Sequence, residues 1–306
     1  MLRHTLRAGL VLAALLPVVA LAQAKKPRVL LYYDMEGISG ANRPTQVFFT
    51  HPKDYQPARE FLTGDVNAAI RGLVAGGAGE IVVTDAHGSG NPDPDILLDK
   101  MDKRASFEWR DTPFDPYRDL PNGTYHAIVC IAMHARANTP GFMAHTYTIE
   151  PSFKVNGLDI TETEIIAHFA APYHVPVIMV SGDDVLEKQI AERFPLAEYG
   201  LVKHAKGMAA ADVLPEAEAW KNIEAAAKRA IEKLGRFKAF DVPAAYKWEM
   251  GWQNSDQADL VEEGSVGVKR VSPTSVGFET ISAVLRRSRP RTRASKWSVP
   301  APTRSR

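Results

Sequence analysis

Two carboxylates one residue apart, Asp34 and Glu36, follow the apolar run Val29-Leu30-Leu31-Tyr32-Tyr33. Just past the end of a buried strand, such a pair is costly to keep ionised. It calls for a positive partner, a metal or an arginine, unless the loop is simply wet. Three more apolar runs end in a similar way. Glu80-Ile81-Val82-Val83-Thr84 leads into Asp85-Ala86-His87, residues 127–133 lead into His134, and residues 175–180 lead into Asp183 and Asp184. Acids and imidazoles at several strand ends can converge on one crevice, and that convergence is the main functional signal in the chain.

Two later stretches add candidates. His134-Ala135-Arg136-Ala137-Asn138-Thr139-Pro140-Gly141-Phe142-Met143-Ala144-His145 is interrupted by a Pro-Gly turn signal, so its two histidines meet only if the loop folds back. Two imidazoles and an arginine beside a strand end favour a site modestly. Thr161-Glu162-Thr163-Glu164 fits a capping box ahead of Ile165, Ile166 and Phe169. The box assigns Glu164 to the helix N-terminus and leaves Glu162 as the better ligand. Asp183 and Asp184 also read as the cap and first residue of a helix.

The elements that must position these residues are short β-prone runs separated by helices. Phe61, Leu62, Val66, Ala69, Ile70 and Leu73 make one apolar face of a helix over residues 57–75, and Gly76-Gly77-Ala78-Gly79 ends it. Strand, helix, strand in this order predicts a parallel pair, and ligands sit outside the carboxyl ends of parallel strands. The expected fold is therefore α/β: a mostly parallel sheet with flanking helices, a Rossmann-like core, and a smaller α+β subdomain. No GxGxxG follows the first strand, so no dinucleotide fingerprint is present. Asn156-Gly157 between apolar flanks predicts a hairpin. Residues 215–234 predict a helix, and Ser255 a short one through Val261. Alternating Tyr246, Trp248, Met250 and Trp252 predict a half-buried strand, and residues 266–271 another. The acids Asp93, Asp95, Asp99 and Asp102, among prolines 92, 94, 113, 116 and 121, read as a solvated loop and helix face.

Composition bounds the class. The 306 residues, 45% hydrophobic, support a real core, and a net charge of +1 gives no general attraction to nucleic acid. Residues 1–24 read as a secretory signal: Arg3, His4 and Arg7, then an apolar stretch over 8–20, then small residues around Ala22 and Ala24. Secreted or periplasmic localisation follows as an expectation, with no membrane contact in the mature form. The single cysteine, Cys130, lies within an apolar run and reads as core. Residues 286–306 are rich in arginine and contain no acid, so they read as a basic, disordered tail.

Taken together, Asp34-Met35-Glu36-Gly37-Ile38-Ser39-Gly40, Asp85-Ala86-His87, the segment from His134 through Gly141, His145, and Val175-Pro176-Val177-Ile178-Met179-Val180-Ser181-Gly182-Asp183-Asp184 resemble the bacterial zinc-dependent D-aminopeptidase (DppA-like) family. The resemblance covers about residues 29–270. It implies a catalytic region over 25–285 and a two-zinc aminopeptidase acting on short peptides. Asp34 resembles the carboxylate shared by both zincs, with Glu36 and His87 completing one metal and His134 and Glu162 the other. His145 resembles a histidine proposed to act in catalysis. The resemblance also implies a large homo-oligomer.

Mixed imidazole and carboxylate donors suit Zn²⁺, and Mn²⁺ or Co²⁺ as well. Two departures stand out. The family's type member has no export signal, and the amphipathic helix that usually ends the family gives way here to the arginine-rich tail. Two rivals stay open at this point: an exported protein that binds a metal or small ligand without turnover, and a metallohydrolase of another amide or ester bond.

Overall fold

The computed structural model describes residues 26–109, 124–147, 151–265 and 267–281. The signal-like segment 1–24, the basic tail 286–306 and prolines 113, 116 and 121 lie outside the described residues.

In chain order the elements are β1 (Arg28–Tyr33), α1 (Pro52–Ala75), β2 (Glu80–Asp85), β3 (Ser106–Glu108), β4 (Ala127–Ile131), β5 (Ser152–Val155), β6 (Leu158–Asp159), α2 (Glu162–Ala170), β7 (Val177–Asp183), α3 (Asp184–Arg193), β8 (Glu198–Ala205), β9 (Ala211–Val213), α4 (Glu216–Glu232), β10 (Ala245–Gly251), α5 (Ser255–Gly264), β11 (Lys269–Ser272) and β12 (Ser275–Ile281). The main sheet has the order β3-β2-β1-β4-β7-β8-β9. Its pairs are parallel except β8 with β9. A second sheet, β11-β12-β10-β5-β6, is antiparallel throughout. The α/β class with a mostly parallel sheet is as the sequence predicts.

Strand β1 is apolar at every position after Arg28 because both its faces are covered. Val29, Leu31 and Tyr33 enter a core shared with α1 and α4; Leu30 and Tyr32 enter a second core shared with α2, α3 and the second sheet. Helices α1 and α4 pack closely at Gly72, where an added Cβ would stand 2.2 Å from the Glu224 carbonyl oxygen. Cys130 is fully buried in β4, as expected of a small core residue.

Several boundaries differ from the sequence reading. Helix α1 starts at Pro52, not near 57, because Tyr55 and Ala58 are buried on the same side as Leu62, Val66 and Leu73. Helix α4 spans Glu216–Glu232, and α5 runs on to Gly264 from an Asn254 cap. Strand β11 spans Lys269–Ser272. The Asn156-Gly157 hairpin forms between β5 and β6, with both residues at positive φ. Asp95 is a correction. It is fully buried, accepting hydrogen bonds from the Ser89 hydroxyl at 2.6 Å and from the Tyr55 phenol.

Candidate metal centre

The donors sit where parallel strands end. Asp34 follows β1, His87 follows β2 and His134 follows β4, while Glu162 opens α2. All four are buried, as is Glu36. The backbone pulls the strand ends together: the Asp34 amide donates to the Ile131 carbonyl at 3.0 Å and the Gly37 amide to the Ala132 carbonyl at 2.7 Å. Gly37 is required by proximity, since a Cβ there would stand 2.1 Å from the Met133 carbonyl oxygen. The loop after β1 therefore lies directly on the chain leading to His134.

Two triads of donor atoms result. Asp34, Glu36 and His87 form one; His134, His145 and Glu162 form the other, with the atoms of each within 4.8 Å of one another. Asp34 faces both. Its Oδ1 is 2.8 Å from His87 Nδ1 and its Oδ2 is 3.3 Å from His134 Nε2. Glu36 Oε2 lies 3.2 Å from His87 Nδ1, and Glu162 Oε1 lies 3.6 Å from His134 Nε2. The capping box separates the two glutamates as the sequence suggests. Glu164 accepts from the Thr161 amide at 2.9 Å, and Glu162 points to the crevice, where it accepts from the Tyr147 amide at 3.0 Å. The loop from His134 to His145 does fold back: the two imidazoles stack 3.9 Å apart and within 11° of parallel.

Each histidine has one ring nitrogen committed to a carbonyl. His87 Nε2 donates to Val47, His134 Nδ1 to Ala135 and His145 Nδ1 to Met143, at 2.8, 3.0 and 2.7 Å. A carbonyl only accepts, so each of these nitrogens carries a proton and the other ring nitrogen is left to face inward, that of His87 and that of His134 towards the carboxylates. This is the arrangement by which backbone carbonyls orient metal-binding imidazoles. Among the described residues, Asp34 Oδ2, Glu36 Oε2 and His134 Nε2 are buried and make no hydrogen bond. Buried polar atoms without partners are rare, and three of them among the two donor triads fit a cation.

The electrostatics agree. Burial, then the neighbouring Glu36, holds Asp34 well above the usual carboxylate range. Burial pulls His87 and His134 down, but the carboxylates outweigh it. Glu36 and Asp34 raise His87, and Glu162 with Asp34 raises His134 to about 10. Burial also opposes ionisation of Glu36 and Glu162, yet the imidazoles hold both below their ordinary values. The centre thus attracts positive charge, which a proton or a metal ion supplies. His145 differs: burial and then His134 push its pKa below the ordinary imidazole range.

The remaining candidates have structural roles. Asp183 caps α3, accepting from the Val185 and Leu186 amides, and its second oxygen accepts from Phe142. Asp184 accepts from the Ala205 amide. Among the described residues Arg136 forms no ion pair. Two buried charges at the centre escaped the sequence reading. Lys203 and Asp65 both bond to the loop over 36–41; each is a lone charge within an otherwise ordinary strand or helix pattern, with no motif to mark it. Beside the His145 loop a cavity of about 670 Å³ is lined by uncharged residues, including Asn138, Thr139, Ala144, Gln253 and Asn254.

A family model described as D-aminopeptidase matches residues 28–286. The chain belongs to the D-aminopeptidase family. Within that family, a D-aminopeptidase of Bacillus subtilis (strain 168) is 29% identical over 229 residues, which cover 74% of this chain and 81% of the relative. The Zn-dependent D-aminopeptidase DppA from Bacillus subtilis, a self-compartmentalizing protease, shares the fold with a TM-score of 0.78 at 26% identity. That match covers 85% of this chain and 93% of DppA. The family member described here is accordingly a hydrolase of the aminopeptidase type, and the expected family and fold are borne out.

Proposed function

We propose that this peptidase uses two zinc ions to release N-terminal D-residues from short peptides. The observation that carries the reading is Asp34, whose two oxygens face two separate histidines. Asp34 would be held in common by both ions, Glu36 and His87 would hold one, and His134 and Glu162 the other. Bound there, zinc would polarise the scissile carbonyl and supply hydroxide near neutral pH.

The chain's own residues do the rest. Val47, Ala135 and Met143 keep the three imidazoles in one tautomer each. Met143 holds the Nδ1 proton of His145, which leaves Nε2 as its basic nitrogen, and burial and His134 favour the unprotonated ring that can act as a general base and take up a proton. It can then deliver that proton to the leaving amine. Burial of Asp34, Glu36, His87, His134 and Glu162 keeps bulk water from these side chains and strengthens their contacts, while His145 is only half-buried.

Handedness would come from three fixed points: the scissile carbonyl, the free amine and the side chain. Swapping the configuration moves one group into a wall, and a mismatch of about 3 kcal/mol gives roughly a hundredfold preference. The test is hydrolysis of D-Ala and L-Ala p-nitroanilides by zinc-replete protein. Faster release from the D isomer is expected. Equal rates, or an L preference, would point to another amide or ester hydrolase at the same centre. Bound metal without release from either isomer would leave a binding protein.

Two further parts of the reading concern where the protein works and in what assembly. Residues 1–24 would direct export to the periplasm or beyond, with the mature chain starting near Gln23 or Lys25. N-terminal sequencing of exported protein checks this, and a retained Met1 contradicts cleavage. Among the described residues no helix is long and apolar enough to cross a membrane. Self-compartmentalization of DppA supports a homo-oligomer here as well; light scattering of the purified protein measures it.

A further inference from the structure

Lys203 lies on β8 and is fully buried, and no step above uses it. Its Nζ donates to the main-chain carbonyls of Glu36 at 2.7 Å and Ala41 at 2.8 Å, and stands 4.6 Å from the centre of the Phe142 ring. A buried ammonium is costly, and an apolar side chain of similar volume fills such a space more cheaply. Here the charge is spent on two carbonyls of a single short loop.

Those carbonyls bracket the turn that follows the metal-facing carboxylates. The same turn is held at two more points. The Ser39 amide donates to Asp65 Oδ2 at 2.8 Å, and the Gly37 amide to the Ala132 carbonyl at 2.7 Å. Asp65 is itself fixed by the Trp220 indole N–H at 3.0 Å. The Glu36 carbonyl and the Gly37 amide belong to one peptide plane, which Lys203 and the Ala132 carbonyl hold from its two edges.

We propose that Lys203 is a positioning residue for the metal-binding loop: by tying the Glu36 and Ala41 carbonyls together, it fixes the direction in which Glu36 presents its carboxylate beside His87. The inference rests on the two-metal reading above. Its consequence is selective. Asp34 is anchored separately through its amide to Ile131, and His134 and Glu162 follow β4 and open α2. Loss of the Lys203 ammonium loosens the Glu36–His87 side and leaves the His134–Glu162 side intact.

The experiment titrates metal-stripped, folded protein with Zn²⁺ against a chromophoric chelator. Wild type is expected to take up two ions. Lys203→Met is expected to bind one with wild-type affinity and the other at least tenfold more weakly. Lys203→Gln, which keeps a donor for one carbonyl, falls between them. With peptide substrate, kcat of Lys203→Met falls at limiting zinc and recovers in excess zinc, with KM unchanged. Ile231→Ala, a core change on α4 that lowers the melting temperature, serves as the control and keeps both affinities. Two wild-type affinities in both Lys203 variants overturn the positioning role and leave the two-metal reading standing. Equal weakening of both ions, or failure of both variants to fold, makes Lys203 a general structural residue and overturns it too. A wild type that binds no zinc overturns both readings.

Discussion

Asp34 Oδ2 and His134 Nε2 face each other at 3.3 Å, and because the Ala135 carbonyl takes the Nδ1 proton of His134, a neutral ring would place no proton between them. A second proton or a cation must answer the contact. Asp34 makes the matching approach to His87 with its other oxygen, at 2.8 Å. One carboxylate thus joins two histidines that follow different strands.

On the two-zinc proposal, replacing Asp34 by Ala is therefore expected to remove both ions, whereas His87→Ala removes one. Metal analysis after gel filtration distinguishes these outcomes. Full metal content in Asp34→Ala contradicts the shared role.

His145 stacks on His134, and its donor atom lies within 4.8 Å of those of His134 and Glu162, so it stands at the edge of the proposed ligand set. With five other donors available, His145→Ala is expected to keep both ions and lose turnover by a factor of about 10²–10⁴, the usual range for a positioned proton-transfer group. Parallel metal and rate measurements on the same sample check it. Loss of an ion makes His145 a ligand.

The parts of this centre that were legible in the sequence follow from local rules. Asp34, Glu36, His87 and His134 stand just past short apolar runs, and parallel strands deliver such residues to one edge. Glu162 was separable from Glu164 because a capping box consumes the second glutamate. Lys203 and Asp65 were not legible. Lys203 sits on β8, where the mixed sequence Glu198-Tyr199-Gly200-Leu201-Val202-Lys203 shows no long apolar run, and its partners lie more than 160 residues away in the chain. Asp65 sits on an amphipathic helix, where an acid reads as solvent-facing until Trp220 is packed over it. The burial of Asp95 was missed for the same reason: its partners Tyr55 and Ser89 come together only in three dimensions.

Gly37 offers a test of the contact between the two halves of the centre. A Cβ at this position meets the Met133 carbonyl oxygen at 2.1 Å and the Ala132 carbonyl carbon at 2.5 Å. Both are backbone atoms that cannot step aside cheaply. Gly37→Ala is expected to cost about 1–3 kcal/mol of stability, as overpacking does. Because it drives Glu36 and His134 apart, it should also weaken zinc binding. Calorimetry with and without zinc measures both effects. A wild-type metal affinity would mean that the loop position does not set the site.

His168 gives a pH prediction outside the metal centre. It lies on α2 among Phe240, Tyr246 and Trp248, with ring centroids 5.1, 5.3 and 6.3 Å away. Its Nδ1 is buried without a hydrogen-bond partner among the described residues. Burial, and then the Arg193 guanidinium, depresses its pKa to about 4. In the unfolded chain a histidine titrates near 6.5. Between those values the unfolded state takes up a proton that the folded state refuses, so stability is full above about pH 6.5 and falls as the pH drops towards 4. The slope is about 1.4 kcal/mol per pH unit, which makes the loss roughly 2 kcal/mol at pH 5. Other groups add their own acid sensitivity, so the informative quantity is a difference between proteins. His168→Phe keeps an aromatic ring and removes the titration. Urea unfolding at pH 7 and pH 5 should show wild type losing about 2 kcal/mol more than His168→Phe over that interval. Equal losses in the two proteins would mean that His168 titrates normally in the folded chain.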